Sequence, residues 1–187
     1  MEIKSESSFL SFEISVKRST NDDPISQGTV EKCIRIAMDA HEGQRDRDGN
    51  AVILHPFIVG GMGKTDAEKC VGFLHDVIED TDVTIENLRD EDIPEEIIVA
   101  LQLCTHDDSL TYDEYVQRII DSGNMTAINV KLNDLHHNIA RGKLIIIPIW
   151  WQNMRLHYRK LKIFCRKSKK ALGCPTIWDY PKITLQQ

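Results

Sequence analysis

With 187 residues, 41% hydrophobic and 28% charged, the chain can form one domain with a single core and is too apolar to be disordered or fibrous. A formal net charge of −6 argues against a general nucleic-acid binder, which needs excess cations to neutralise phosphates. The five cysteines, at 33, 70, 104, 165 and 174, are odd in number and contain no C-x-x-C, which excludes a disulfide framework and a thiolate zinc site and leaves them as small buried hydrophobes.

Residues 1–27 read as a polar tail or short extension. The start "MEIKSESSFLSFEISVK" lacks a basic stretch followed by an apolar core, and the longest apolar run, "LIIIPIWW" at 144–151, is too short to span a bilayer, so a cytoplasmic protein is expected. In "TVEKCIRIAMDAH", Val30, Cys33, Ile34, Ala37, Met38 and His41 recur at the i, i+3, i+4, i+7 spacing of one helix face. "HPFIVGGMGKT" is a short apolar turn of helix followed by glycine punctuation. It is no phosphate loop, because that pattern needs glycine where Ile58 stands and a preceding strand. Asp66 to Asp80 reads as one amphipathic helix. "IPEEIIVALQLCT" is the next, opened by Pro94 and two glutamates as a helix N-terminus prefers. "LTYDEYVQRIID" and "TAINVKLNDLHHNIA" supply two more, and "WQNMRLHYRKLKIFCRKSKKAL" a long basic terminal helix. One all-α domain over residues 28–172, followed by a C-terminal tail at 173–187, is the predicted organisation.

The chemistry concentrates in "FLHDVIEDT", residues 73–81. On a helical wheel at about 100° per residue, with His75 at zero, Asp76, Glu79 and Asp80 fall near 100°, 40° and 140°, and apolar side chains fill the remaining arc. Taken alone, that is an ordinary solvated acidic face. His55 in "ILHPF" and Asp134 in "VKLNDLHHN", the latter on an apolar-periodic helix, change the reading. His55, His75, Asp76 and Asp134 form a mixed nitrogen and oxygen set suited to Mn²⁺, Fe²⁺ or Zn²⁺. Glu79 or Asp80, one turn further along, can orient a water or move its proton. Lys131 and Arg47 are candidate phosphate contacts, with a snorkelling surface lysine and a solvated loop arginine as their ordinary alternatives. His41, on an apolar face, reads as a core histidine, and His106-Asp107 as a helix-end cap. His136 and His137 are assigned no chemistry.

Three motifs in order, "AHEGQRDRDGNAVILHP", "FLHDVIEDTDVTIENL" and "VKLNDLHHNIARGK", resemble the HD-domain phosphohydrolases, specifically the hydrolase half of the RelA/SpoT (p)ppGpp enzymes and their small stand-alone relatives. The similarity covers residues 29–165, and "THDDSLTYDEYVQRI" looks more like the stand-alone group. The resemblance implies an HD-domain helical bundle around a single metal site. It implies one Mn²⁺ held at positions matching His55, His75, Asp76 and Asp134, with hydrolysis of a nucleotide 3′-pyrophosphate. Glu79 and Asp80 would be the water-positioning and acid/base pair, and Asn138 a nucleotide contact. No part of the chain matches the synthetase half. Nine residues before His55, where these hydrolases carry an arginine against the guanine base, stands Asp46, flanked by Arg45 and Arg47. A carboxylate neither stacks on a base nor grips phosphate, so poor discrimination between guanine and adenine is expected, and an arginine restored at 46 is expected to strengthen binding.

Two alternatives stand beside that reading. One is hydrolysis of another nucleotide phosphate ester. The other is a non-catalytic polyanion- or RNA-binding module on a degenerate HD scaffold, suggested by eight Lys or Arg and no acid in "RLHYRKLKIFCRKSKK" at 155–170. Trp150, Trp151 and Trp178 are assigned to core or to a self-association surface, so a homo-oligomer is left open.

Overall fold

Short polar caps set where the helices begin. In the computed structural model, which describes residues 25–142 and 148–172, the Ser26 hydroxyl accepts the Thr29 N–H and the Thr29 hydroxyl accepts the Ser26 N–H, which opens α1 (Gln27–Ala40). After a loop at 41–53 comes α2 (Leu54–Gly61). The Thr65 side chain then caps α3 (Asp66–Leu74), and a separate short α4 (Val77–Asp80) follows. Thr84 and Asn87 form a second reciprocal cap on α5 (Ile85–Asp90), and α6 (Glu95–Cys104) starts just after Pro94. Thr111 and Glu114 open α7 (Tyr112–Ser122), which ends on Gly123 at φ 63°, a left-handed residue that glycine adopts without a Cβ clash. The remaining helices are α8 (Met125–Gly142) and α9 (Pro148–Leu172). Among the described residues there is no strand, only one isolated antiparallel bridge between Arg45 and Ala51. None of the described helices is long and apolar enough to cross a membrane. The expectations for the first 24 residues, for 143–147 and for 173–187 lie outside the described residues, as do those for the Trp150 and Trp151 side chains.

The core forms around α3, whose Cys70, Val71 and Leu74 are fully buried and which packs against α1, α2, α6 and α8. Two glycines let it sit in backbone contact with α2. A Cβ on Gly72 would lie 2.6 Å from the Gly60 Cα, and one on Gly60 would lie 2.5 Å from the Phe73 ring. The glycines of "GGMGKT" thus serve helix packing, and the segment joins two helices without a preceding strand. The core reaches back to Ile25, 7% exposed, and the four described cysteines are all buried. In α9 the buried positions are His157, Leu161 and Cys165, while Lys160 reaches Asp113 of α7. Part of the basic face therefore meets acid from the rest of the chain.

Three expectations are corrected. Met38 is 51% exposed and leaves the buried face that Cys33, Ala37 and His41 share. The six-residue α5 was not predicted; its apolar content is too short for periodicity, although Thr84 and Asn87 carry the capping signal and Leu88 anchors it in the core. The helix expected over 66–80 is interrupted at His75 and Asp76. The Gly72 carbonyl, which a continuous helix would pair with the Asp76 N–H, accepts the His75 Nδ1–H at 2.8 Å.

Gly72→Ala is expected to lower urea stability by about 1–3 kcal/mol, the usual cost of overpacking, because the facing atoms are backbone. Gly61→Ala meets nothing within 4 Å and is expected to be neutral or stabilising. Equal denaturation midpoints for the two variants would show that α2 and α3 do not depend on this approach.

Candidate active site

The α2–α3 contact brings His55, near the start of α2, against His75 at the end of α3. Their Nε2 atoms are 3.2 Å apart. Asp76, released from helical spacing by the break, turns Oδ1 to 3.1 Å from His75 Nε2 and Oδ2 to 3.6 Å from His55 Nε2. These three residues offer ligand atoms that all lie within 4.8 Å of one another. Asp134 of α8 joins through its Oδ1, 3.3 Å from His55 Nε2. Ligand bonds of ~2.1 Å give polyhedron edges of ~3.0 Å in octahedral and ~3.4 Å in tetrahedral coordination, a range that holds three of these separations, with the Asp76–His55 distance of 3.6 Å just above it. The proton placement also fits a cation. Because His75 Nδ1–H is committed to the Gly72 carbonyl, its Nε2 lone pair faces the cluster, as it does in a metal-ligating histidine oriented from behind. Two histidine nitrogens and two carboxylates directed at one point repel each other unless a cation or a proton lies among them.

Asp134 is 5% exposed and held on both oxygens. Lys131 donates to Oδ2 at 2.8 Å, and Asn138 donates to Oδ1. Burial alone would raise the Asp134 pKa, but Lys131, with His55 and His75 beside it, outweighs burial and holds the carboxylate ionised far below the ordinary range. Lys131 shows the converse balance: burial opposes its charge, and Asp134 raises its pKa well above that of an ordinary lysine. Its side chain is 13% exposed and its ammonium lies 5.0 Å from the Tyr115 ring centroid and 5.5 Å from that of Tyr112. The snorkelling alternative is therefore replaced by a buried ion pair roofed by two aromatic rings.

His137 is the residue that sequence reasoning missed. Its Nδ1 lies 2.6 Å from His55 Nδ1, and the two rings stack at 4.9 Å with 17° between planes. With the proton of that bond on His55, the His55 Nε2 lone pair faces the cluster. Burial and the adjacent His55 push the His137 pKa down to about 4, which keeps it a neutral acceptor. The overlooked signal was its spacing of three from Asp134, which shares a helix face as well as the spacing of four does.

Glu79 and Asp80 stand beside the cluster on α4 with solvent on one side. The Glu79 carboxylate accepts the His106 backbone N–H, and crowding by packed neighbours, aided by Asp76, outweighs that bond and raises its pKa. Desolvation and then the Asp76 charge raise Asp80. His106-Asp107 is not a side-chain cap of α6: Thr105 ends that helix, the His106 amide serves Glu79, and Asp107 accepts from Ser109 in its own turn. His41 is buried, and its Nδ1 lies 2.8 Å from Gln44 Oε1. Gln44 in turn donates to the Asp80 carbonyl, so this core histidine braces the loop that faces α4.

No family model matches the chain. Over 58 residues it is 43% identical to a Synechocystis sp. protein named "probable guanosine-3′,5′-bis(diphosphate) 3′-pyrophosphohydrolase", covering 29% of this chain and 8% of that one. Over 133 residues it is 27% identical to the GTP pyrophosphokinase of Streptomyces coelicolor, covering 64% of this chain and 16% of that one. The chain thus spans less than a fifth of the length of these curated relatives. Among solved structures, one described as a metazoan ortholog of SpoT that hydrolyzes ppGpp superimposes with a TM-score of 0.57 at 20% identity, over 80% of this chain and 98% of that one. The chain resembles the RelA/SpoT hydrolase domain. Its all-α HD-type fold is that of the SpoT ortholog.

The RelA/SpoT resemblance gives the 41–53 loop particular interest. Arg47 is exposed. Asp46 organises the loop: Oδ1 accepts the Asp48 N–H at 3.0 Å and the Asn50 N–H at 2.9 Å, and Oδ2 accepts Arg141 Nη2 of α8 at 2.6 Å. Burial opposes its charge, but these donors prevail and lower its pKa. An arginine at 46 would lose all three bonds and face Arg141, so the gain expected from that substitution is withdrawn.

His137→Phe keeps an aromatic ring against His55 and removes the nitrogen acceptor. It is expected to weaken metal retention about 10–100-fold, the usual cost of losing a residue that orients a ligand. Metal content after dialysis measures this, with far-UV circular dichroism as the check on folding. Wild-type retention would show that His55 needs no such partner.

Proposed function

We propose that this protein is a metal-dependent phosphohydrolase that removes the 3′-pyrophosphate of (p)ppGpp-like nucleotides, with Mn²⁺ as the favoured ion and Fe²⁺ or Zn²⁺ as substitutes. The observation that carries the reading is the convergence of His55, His75, Asp76 and Asp134 beside two carboxylates of raised pKa. The named relatives supply the substrate class. Residues 28–172 act as the hydrolase domain, in the cytoplasm, on a nucleotide and without nucleic acid.

His55, His75, Asp76 and Asp134 would hold the ion. Bound there, a divalent cation supplies Lewis-acid polarisation of a phosphoryl oxygen and makes water acidic enough to serve as a nucleophile near neutral pH. The chain's own groups do the rest. Glu79, fixed by the His106 amide, accepts a hydrogen bond from the attacking water and takes its proton. Asp80, kept more basic than an ordinary aspartate, relays protons to solvent or to the departing ribose 3′-oxygen, while the released pyrophosphate carries the oxygen of the attacking water. Lys131 keeps Asp134 ionised and aimed, and Asn138 restrains the other oxygen of the same carboxylate. In this reading Lys131 serves substrate through Asp134, and Asn138 stands at the edge where the nucleotide enters. The basic α9 does not favour a polyanion-binding module, since Lys160 and His157 both engage Asp113.

The test is incubation of the purified protein with ppGpp and Mn²⁺, with GDP and pyrophosphate resolved by anion-exchange chromatography, and with a chelator abolishing the reaction. Other 3′-phosphorylated nucleotides in the same panel decide between the alarmone and a different ester. Glu79→Gln is expected to retain the metal at wild-type stoichiometry and to lower kcat by about 10²–10⁴-fold, the range for a positioned acid or base. Loss of metal in this variant would make Glu79 a ligand instead.

A further inference from the structure

The cluster is rich in negative charge. Asp76, Glu79, Asp80 and Asp134 surround it, and Lys131, the largely buried cation beside them, is committed to Asp134. A polyanionic nucleotide needs a cation at the mouth whose donors are not all taken up by the protein's own carboxylates. Arg141 lies one heptad beyond Asp134 on α8, displaced about 20° round the helix and ~10 Å along it. The same face carries His137, one turn before Arg141. The Arg141 side chain is 39% exposed while its anchor Asp46 is 18% exposed. Only one N–H is engaged by the Asp46 carboxylate at 2.6 Å, and a guanidinium has five donors.

We propose that Arg141, anchored on Asp46, binds a phosphate of the substrate outside the metal-ligand cluster, and that Asp46 is the positioning residue that aims it. The proposal rests on the nucleotide reading above and adds the residue that grips the non-reacting end. An exposed ion pair ordinarily holds two flexible chains in no fixed geometry and contributes little. This one differs because Asp46 is immobilised: its Oδ1 accepts two backbone amides of its own turn, and that loop is closed by Arg45 donating to the Gly49 carbonyl at 3.1 Å and by the Arg45–Ala51 bridge. The guanidinium is therefore held from behind with its outward donors free to fork onto phosphate. Arg47 adds exposed positive charge to the same rim, and Asp48 offsets part of it. The cation that position 46 lacks is brought to the loop by α8.

The test compares wild type, Arg141→Ala, Arg141→Lys and Asp46→Asn, all loaded with Mn²⁺, on ppGpp and on bis(p-nitrophenyl) phosphate, a small ester that samples the cluster alone. Arg141→Ala is expected to raise KM for ppGpp about tenfold, with kcat, turnover of the small ester, metal content and Tm held near wild type. Arg141→Lys recovers part of the loss, and Asp46→Asn, which keeps the amide acceptor but weakens the anchor, raises KM by less. An unchanged KM in Arg141→Ala, or a loss shared equally by the small ester and by Tm, overturns the proposal and leaves Arg141 a structural tie. A wild type that turns over the ester but not ppGpp sinks the alarmone reading, and calorimetric binding of ppGpp then judges Arg141. Binding lost in Arg141→Ala supports the proposal; equal binding, or none in either protein, overturns it.

Discussion

The backbone contact between Gly60 and Gly72 is the constraint on which the rest depends. No side chain larger than hydrogen fits on either residue without moving Phe73 or the facing main chain. That approach fixes the distance between α2 and α3, and with it the distance between two histidines that belong to different helices. Gly72 contributes twice, since its carbonyl also receives the His75 ring. Packing and ligand orientation are thus properties of the same peptide, and a loss of one entails a loss of the other.

Around that frame the site concentrates charge inside the protein, which is costly unless every charge is matched. Asp134 and Lys131 match each other and are both removed from solvent. Deleting one member of such a pair leaves the other buried without compensation, typically at about 3–5 kcal/mol, whereas replacing both can be neutral. Stability therefore does not by itself explain why the pair is ionic. Its geometry offers a reason: the lysine occupies the Asp134 oxygen that faces away from His55 and so leaves the other turned toward the cluster. The tyrosine rings over Lys131 come from α7, so that helix takes part in aiming a carboxylate on α8.

The sequence made the helices legible wherever apolar residues recurred over ten or more positions, and Pro94 followed by two glutamates marked the start of α6. The six-residue α5 was too short for that signal. The break at His75-Asp76 was hidden for a different reason: the local pattern remains helical on both sides, and the interruption depends on a ring nitrogen competing for a carbonyl. Within the site, His55, His75, Asp76 and Asp134 could be singled out because paired imidazoles and carboxylates have few structural uses in a core. His137 could not be distinguished from His136 by residue type, since only the three-dimensional approach of α2 to α8 gives it a partner. Asp46 looked like a lost arginine because its partner lies 95 residues away on another helix. Long-range pairing of this kind leaves no periodicity to read.

The bond from the His106 amide to Glu79 has one more consequence. The donor is main chain, so every residue except proline can provide it, and the His106 ring bears on the contact through its edge-on packing against Tyr115 at 5.0 Å. What matters is the path of the chain where α6 ends, which is set by Thr105 and by the Tyr115 hydroxyl on the Cys104 carbonyl. The carboxylate proposed to act on water is thus oriented by the shape of a helix terminus, through residues that have no chemistry of their own.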